Sequence, residues 1–318
     1  MKLYRDLLSG VNGKPLKISS LGVLNGCLMS VFNEAVYNDD ITKNPARGIY
    51  SELKRAQTMN MDTYSLNPFE LSSQQKSLNA TQQALFFEHL KTKHGWVRKY
   101  LALLLFLAFS GCRIGEAAAL TWHDINFSKK EIVIRRNLVK TKNAQTNKYE
   151  FHLAPPKTEN GFRVIPMNDL LDQSFRNLKE YQYKSHTENI SEVDGVYGFV
   201  FTSPRGGMLV RSSVDRAINS IVQSYNSCEK DQASREGREP ILIPKISAHN
   251  FRHTFCSLFL EANPSMIKEL QLLAGHSSAG FTITSYTDSL GDRKKNGITT
   301  MGELYRVSLP DLPNLPAN

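Results

Sequence analysis

The 318-residue sequence predicts a mainly α chain with one small antiparallel β-sheet, an α+β protein. Two observations carry this. Apolar residues recur at three- and four-residue steps through most segments, the stripe of amphipathic helices. Short strand-like runs are confined to residues 131–167, where Asn160-Gly161 marks a tight turn. No internal repeat interrupts this pattern.

Residues 1–59 read as helical. Leu21, Leu24, Leu28, Val31, Phe32 and Ala35 form one helical stripe, Ser19 and Ser20 offer N-caps, and the helix must stop before Asn44-Pro45. From Thr58 to Gln75 the chain turns polar, with Pro68 and Ser72-Ser73-Gln74-Gln75, and reads as a linker. Helices follow at Thr81–Lys93, Val97–Phe109 and Arg113–Leu120, then a strand at Glu131–Arg136. Tyr149–Ala154 and Phe162–Met167 read as a strand pair around a turn holding Pro155, Pro156, Asn160 and Gly161. Helical patterns return at Met167–Tyr183, Ser212–Tyr225, Ala248–Glu261 and Ser265–Leu273. The polar stretch Ser224–Pro240 reads as an inserted surface loop, and the tail with Pro310, Pro313 and Pro316 as non-helical.

Bulk properties narrow the function. The net charge of +9 favours a polyanionic partner, nucleic acid or an anionic membrane surface. Eight cationic residues face six acidic ones up to Asp62, so most of the excess lies beyond the linker. The longest strongly apolar run, Leu101–Phe109, is too short to span a bilayer, and the N-terminus shows no signal-peptide pattern. Cys27, Cys112, Cys228 and Cys256 are scattered, without metal-site spacing or a disulfide framework, as expected of reduced thiols.

Four segments hold residues suited to chemistry. In Ser110-Gly-Cys-Arg-Ile-Gly-Glu116 a glycine turn opens a helix beside Arg113, a seat for a phosphate. The plainer alternative is a helix start with an Arg113–Glu116 surface pair. Lys157 sits beside the Asn160-Gly161 turn, either solvated or able to protonate a leaving oxygen. His249, Arg252 and His253 share one helix face at i, i+3 and i+4. They could face a phosphate, pack as a structural histidine pair, or, lacking a third ligand, bind zinc poorly. Gly275 is a helix terminator that presents His276, and a Ser/Thr/Gly-rich spacer leads to Tyr286. Taken alone, Tyr286 carries no signal.

The ordered set Arg113, Lys157, His249-x-x-Arg252, Gly275-His276 and Tyr286 resembles the tyrosine recombinase, or phage integrase, family. Leu104-x-Phe106-x-x-Phe109-x-Gly-x-Arg-x-x-Glu116 with Leu120-x-Trp122-x-Asp124 is similar to that family's first conserved box. Lys157-Thr-x-x-Gly161-x-Arg163-x-Ile165-Pro166 is similar to its catalytic hairpin. The resemblance covers residues 80–286. Before it, Asn33-Glu-Ala-Val-Tyr37 and Ile41-x-x-Asn44-Pro45 resemble the latter part of the core-binding domain, with its earlier helices and any arm-binding domain expected to be absent.

The resemblance implies the tyrosine recombinase catalytic fold behind a short helical domain. The expected division is a partial core-type DNA-binding domain at 1–66, a linker at 67–79, a catalytic domain at 80–290, and a tail at 291–318 that either exchanges between protomers or packs on its own domain. It implies site-specific cutting and rejoining of DNA through a 3′-phosphotyrosine, for integration or excision of a mobile element or prophage. Arg113, Lys157, His249, Arg252, His276 and Tyr286 would be catalytic, with Glu116 in support. No cofactor or metal is implied. The implied partners are double-stranded recombination sites, a homo-tetramer on DNA, and accessory DNA-bending or excision factors, with no membrane. The implied location is cytoplasmic, on the nucleoid when DNA-bound. A nicking-closing topoisomerase would share the nucleophile but cleave without site preference.

Overall fold

The computed structural model describes residues 2–275, apart from 12, 17, 61–76, 157–158, 186–190 and 204. The chain divides into two compact units, Met1–Ser73 and Gln74–Asn318.

The first unit holds three helices, α1 (Lys2–Ser9), α2 (Ile18–Tyr37) and α3 (Ile49–Asn60). The α2 stripe is as the periodicity predicts for Leu21, Leu24, Leu28, Phe32 and Ala35, which are buried or half-buried, whereas Val31 is exposed. Ser19 and Ser20 lie inside the first turn of α2, not at its cap. Asn44 closes the turn after α2: its Nδ2 donates to Met29 O (3.1 Å) and Asn33 Oδ1 (2.7 Å), and its Oδ1 accepts from Ala46 N (2.8 Å). An asparagine suits this position because its side chain both donates and accepts. The core is small, with Tyr4, Leu21 and Ala46 buried and the Tyr4 hydroxyl donating to Asn25 Oδ1 (2.9 Å).

The second unit is built around α5 (Leu101–Ser110), whose sequence LALLLFLAFS is apolar on every side. Such a helix must be enclosed, and it packs against α9 (Ala248–Ala262) and α7 (Asp169–Ser185). Phe106, wholly buried, meets Phe175 and Phe201 at ring separations of 5.7 Å each. α4 (Ala80–Lys91) packs on α8 (Arg211–Glu236), and α10 (Ile267–Ala274) packs on α9. The start of α4 belongs to this core. Leu78, within the stretch read as linker, is buried, its N–H donating to Thr254 Oγ1 (2.9 Å), and Asn79 caps α4.

Two antiparallel sheets replace the single sheet expected. One has the order β1 (Ile125–Asn126), β2 (Glu131–Ile134), β5 (Arg163–Pro166), with Ile132 opposite Ile165. Alternation places Ile132, Ile134 and Ile165 in the core. The other is a ribbon of β3 (Asn137–Lys142) and β4 (Tyr149–Ala154). The expected β4–β5 pair is therefore wrong: β4 pairs with β3, which sequence reading missed, and β5 pairs with β2. The hairpin turn lies at 143–148 instead, where the Asn143 side chain accepts from the N–H groups of Gln145 and Thr146 and Asn147 takes φ 57°. Asn160-Gly161 lies in a 3₁₀ turn, Glu159–Gly161, where glycine serves close approach: a Cβ on Gly161 would lie 2.2 Å from Pro156.

The loop expected at Ser224–Pro240 is mostly helix. α8 continues to Glu236 and ends at Gly237, in the left-handed region at φ 67°. Its buried stripe runs through Ile218, Ile221, Val222, Tyr225 and Ala233. The second half buries only this narrow line, so its composition is polar although its period is helical. Arg238 returns to bond the Glu229 carboxylate with both Nη atoms, fixing the chain beyond the helix. The four cysteines are free thiols, Cys112 and Cys256 buried.

Candidate active site

Four of the sequence-predicted site residues lie within the described structure and converge: Arg113, Glu116, His249 and Arg252. Lys157, His276 and Tyr286 lie outside the described residues.

α5 ends at Gly111, which takes φ 61°. That left-handed turn suits glycine and directs its carbonyl at α9, where Arg252 Nη1 donates to it (2.8 Å). A Cβ on Gly111 would lie 2.4 Å from the Phe255 ring. Two residues on, Arg113 is the N-cap of the short helix α6 (Ile114–Ala118). Of the backbone N–H groups expected to face a phosphate, that of Arg113 is already bonded. The Arg113 N–H donates to Glu116 Oε2 (3.0 Å), and Arg113 Nη1 donates to Glu116 Oε1 (2.9 Å). The anchored guanidinium is half-exposed and offers its remaining donors outward.

Glu116 is almost wholly buried, and Arg163 Nη2 also donates to it (2.8 Å). Burial pushes its carboxyl up. The charge of Arg163 and the hydrogen bonds from Arg163 and Arg113 outweigh that and hold it below the usual carboxylate range. Glu116 thus serves the two arginines as a buried anchor.

On α9 the first turn is held by a capping box between Ser247 and Asn250, and the Ala248 N–H donates to Asp215 Oδ1 (2.8 Å) on α8. Arg252 lies one turn further in, 2% exposed. Its Nη2 is buried and bonded to nothing among the described residues. Burial, with Arg113 close by, lowers its pKa to about 10, which leaves it cationic at neutral pH. His249 stacks edge-on against His253, ring centroids 4.8 Å apart. Desolvation and the charges of His253, Arg252, Arg211 and Arg113 push the His249 imidazole down to about 4. His249 should therefore titrate near pH 4 in a histidine NMR titration of the free protein; a midpoint near the ordinary 6.5 would contradict this cationic field. Its neutral form also lowers stability in acid, because the unfolded chain takes up the proton first as pH falls below 6.5.

Sequence reading missed Arg211, on the first turn of α8, which adds to the cationic field around His249 while pairing with Asp215 (3.4 Å). Nothing in the sequence links residue 211 to 249, since the two meet only through the packing of α8 on α9. Among the described residues no group of three His, Cys, Asp or Glu could hold a metal ion. The His249–His253 pair faces arginines, not carboxylates. α10 ends at Gly275, in the left-handed region at φ 67°, as its sequence predicts. The assembled feature is a pair of arginines from two elements, one buried with an unused donor, beside a neutral histidine. Its chemistry is that of an anion pocket.

Residues 76–293 match the sequence pattern of the phage integrase family. The transposase of transposon Tn916 from Enterococcus faecalis is 24% identical over 233 residues, 73% of this chain and 51% of that protein. A tyrosine recombinase XerC-like protein from Caldanaerobacter subterraneus subsp. tengcongensis is 26% identical over 313 residues, 96% of this chain and 69% of that protein. The chain thus spans about half the length of some of these relatives. The integrase of transposon Tn1549, solved with transposon right end DNA, has the same fold, with a TM-score of 0.65 at 24% identity over 85% of this chain and 75% of that one. No helix among the described residues is long and apolar enough to cross a membrane.

Proposed function

We propose a function from one premise: this chain belongs to the phage integrase family. It cuts and rejoins DNA at specific sites through a covalent 3′-phosphotyrosine, and it integrates or excises a mobile element. The observation that carries this is the Arg113–Arg252 pocket, in which a buried cation keeps an unused donor. A DNA phosphodiester supplies the missing acceptor. The name of the Tn916 relative supports the mobile-element role.

In this reading Arg113 and Arg252 neutralise the scissile phosphate, and their fixed forks stabilise the charge that grows on its oxygens. His276 donates a hydrogen bond to the same phosphate. His249, neutral at pH 7, accepts the Tyr286 hydroxyl proton as the phenol oxygen attacks phosphorus. The bond from phosphorus to the 5′ oxygen breaks, and Lys157 protonates that oxygen. Attack by a 5′-hydroxyl of a second strand reverses the step. The phosphodiester bond energy is kept in the intermediate, so no nucleotide is consumed. Glu116 holds both Arg113 and its neighbour Arg163.

The same reading assigns residues 1–66 to a core-type DNA-binding domain, 67–79 to a linker whose last residues, Leu78 and Asn79, pack with the second unit, and 80–290 to catalysis. It assigns the tail, 291–318, to exchange between protomers of a tetramer on DNA. Accessory DNA-bending or excision factors, and a cytoplasmic location on the nucleoid, belong to it as well.

The test is adduct formation on a nicked duplex carrying the end sequence of the element that encodes the chain. The wild-type chain should become covalently linked to DNA in the presence of EDTA, and Tyr286→Phe should not. Adducts that persist in Tyr286→Phe would remove Tyr286 from its role. Adducts that need a divalent ion would remove the metal-free mechanism.

A further inference from the structure

Arg163 has no step in the chemistry above, yet it ties that chemistry's segments together. Its side chain is 5% exposed on β5. Nη2 donates to Glu116 Oε2 (2.8 Å) and to Cys112 Sγ (3.3 Å), Nη1 to Gly161 O (3.1 Å), and Nε to Leu273 O (2.7 Å). One planar group thus joins three segments: the start of α6 with Arg113, the 159–161 turn that follows Lys157, and the last turn of α10. Only a guanidinium carries donors in three directions from one rigid plane; an ammonium in its place serves fewer partners with less fixed geometry.

The packing around this junction admits no slack. A Cβ on Gly275 would lie 2.9 Å from Asn160 O and 3.0 Å from Arg163 Nη1. The end of α10 therefore lies directly on the 159–161 turn. The turn also lies close against Pro156 at Gly161. The position of the turn relative to α6 follows from the guanidinium between them.

We propose that Arg163 is a positioning residue for strand cleavage: it holds the turn next to Lys157 in register with the Arg113–Glu116 unit, and so acts on the reaction through Lys157. This rests on Lys157 being the group that protonates the leaving oxygen. A merely structural Arg163 would lower stability, and its loss would slow cleavage by the same factor whether or not Lys157 is present.

The test is a double-mutant cycle in single-turnover adduct formation by the full chain on the nicked element end. Each variant is assayed where circular dichroism shows it folded. Arg163→Lys should slow cleavage of the ordinary phosphate by about 10–100-fold, less than the roughly 10²–10⁴-fold that complete loss of general-acid catalysis costs. In a Lys157→Ala background the same substitution should change the rate by less than about threefold, because the pathway it acts on is already gone. A 5′-bridging phosphorothiolate, whose sulfur leaves without a proton, should restore both single variants. If Arg163→Lys folds poorly, Arg163→Gln, which retains a planar donor, takes its place. Equal slowing in both backgrounds, or rescue of Lys157→Ala without rescue of the Arg163 variant, would overturn the proposal alone. Failure of the phosphorothiolate to rescue Lys157→Ala would overturn the reading of Lys157 and the proposal with it.

Discussion

Replacing Arg252 with methionine is expected to slow adduct formation by about 10²–10³-fold, the usual loss when one donor to a developing oxyanion is removed. The same change should leave the free protein as stable as before, or more stable. Arg252 is buried beside Arg113, with one nitrogen on Gly111 O and another bonded to nothing among the described residues. A buried cation without a counter-ion is costly, and an apolar side chain of similar length removes that cost. Inorganic phosphate should therefore raise the melting temperature of the wild type, by mass action on the folded state alone. At about 100 times its dissociation constant the gain would be about 2.7 kcal/mol. The methionine variant should show no such response. Scanning calorimetry with and without phosphate measures both effects. A methionine variant that cleaves within tenfold of wild type, or still responds to phosphate, would remove Arg252 from the pocket.

Glu116→Gln is expected to cost about 3–5 kcal/mol, the range for breaking a buried ion pair by removing one partner. The shape is kept, but Arg163 loses its counter-charge. The carboxylate oxygens now accept from Arg113 N, Arg113 Nη1 and Arg163 Nη2, so an amide NH₂ would face at least one donor with another donor. The sign of the pH dependence follows from the depressed carboxyl of Glu116. Its stabilisation is fully present above the unfolded carboxyl pKa of about 4.5 and is lost as pH falls through the lower folded value. Wild type and variant should therefore differ most near pH 7 and converge in acid. Urea unfolding at both ends of that range measures this, and a gap that is constant with pH would contradict a charged Glu116.

Much of this was legible in the sequence. The apolar run Leu101–Phe109 had to be an enclosed helix, because no face of it tolerates water. Gly275 had to end α10, because a left-handed residue there favours glycine. The pairing of Arg113 with Glu116 was visible as an i, i+3 spacing, and its burial was not. Ser224–Pro240 has the composition of a loop but the period of a helix: a helix that buries one thin line is polar by count. β4 and β5 are neighbours in sequence yet pair with β3 and β2, because nearness in the chain does not fix strand pairing. Asn160-Gly161 has the composition of a hairpin turn, but its glycine is there to let Pro156 approach.

By itself the sequence determined the class of each segment and the order of the residues suited to phosphate chemistry, because periodicity, capping and turn preferences act over a few neighbours. Only the tertiary structure decided which strands pair, that Arg211 reaches the field of His249, and that Arg163 joins three segments. Those outcomes depend on contacts across many residues, such as Arg163 to Leu273 or Gly111 to Arg252, where burial makes a single unpaired charge or donor decisive.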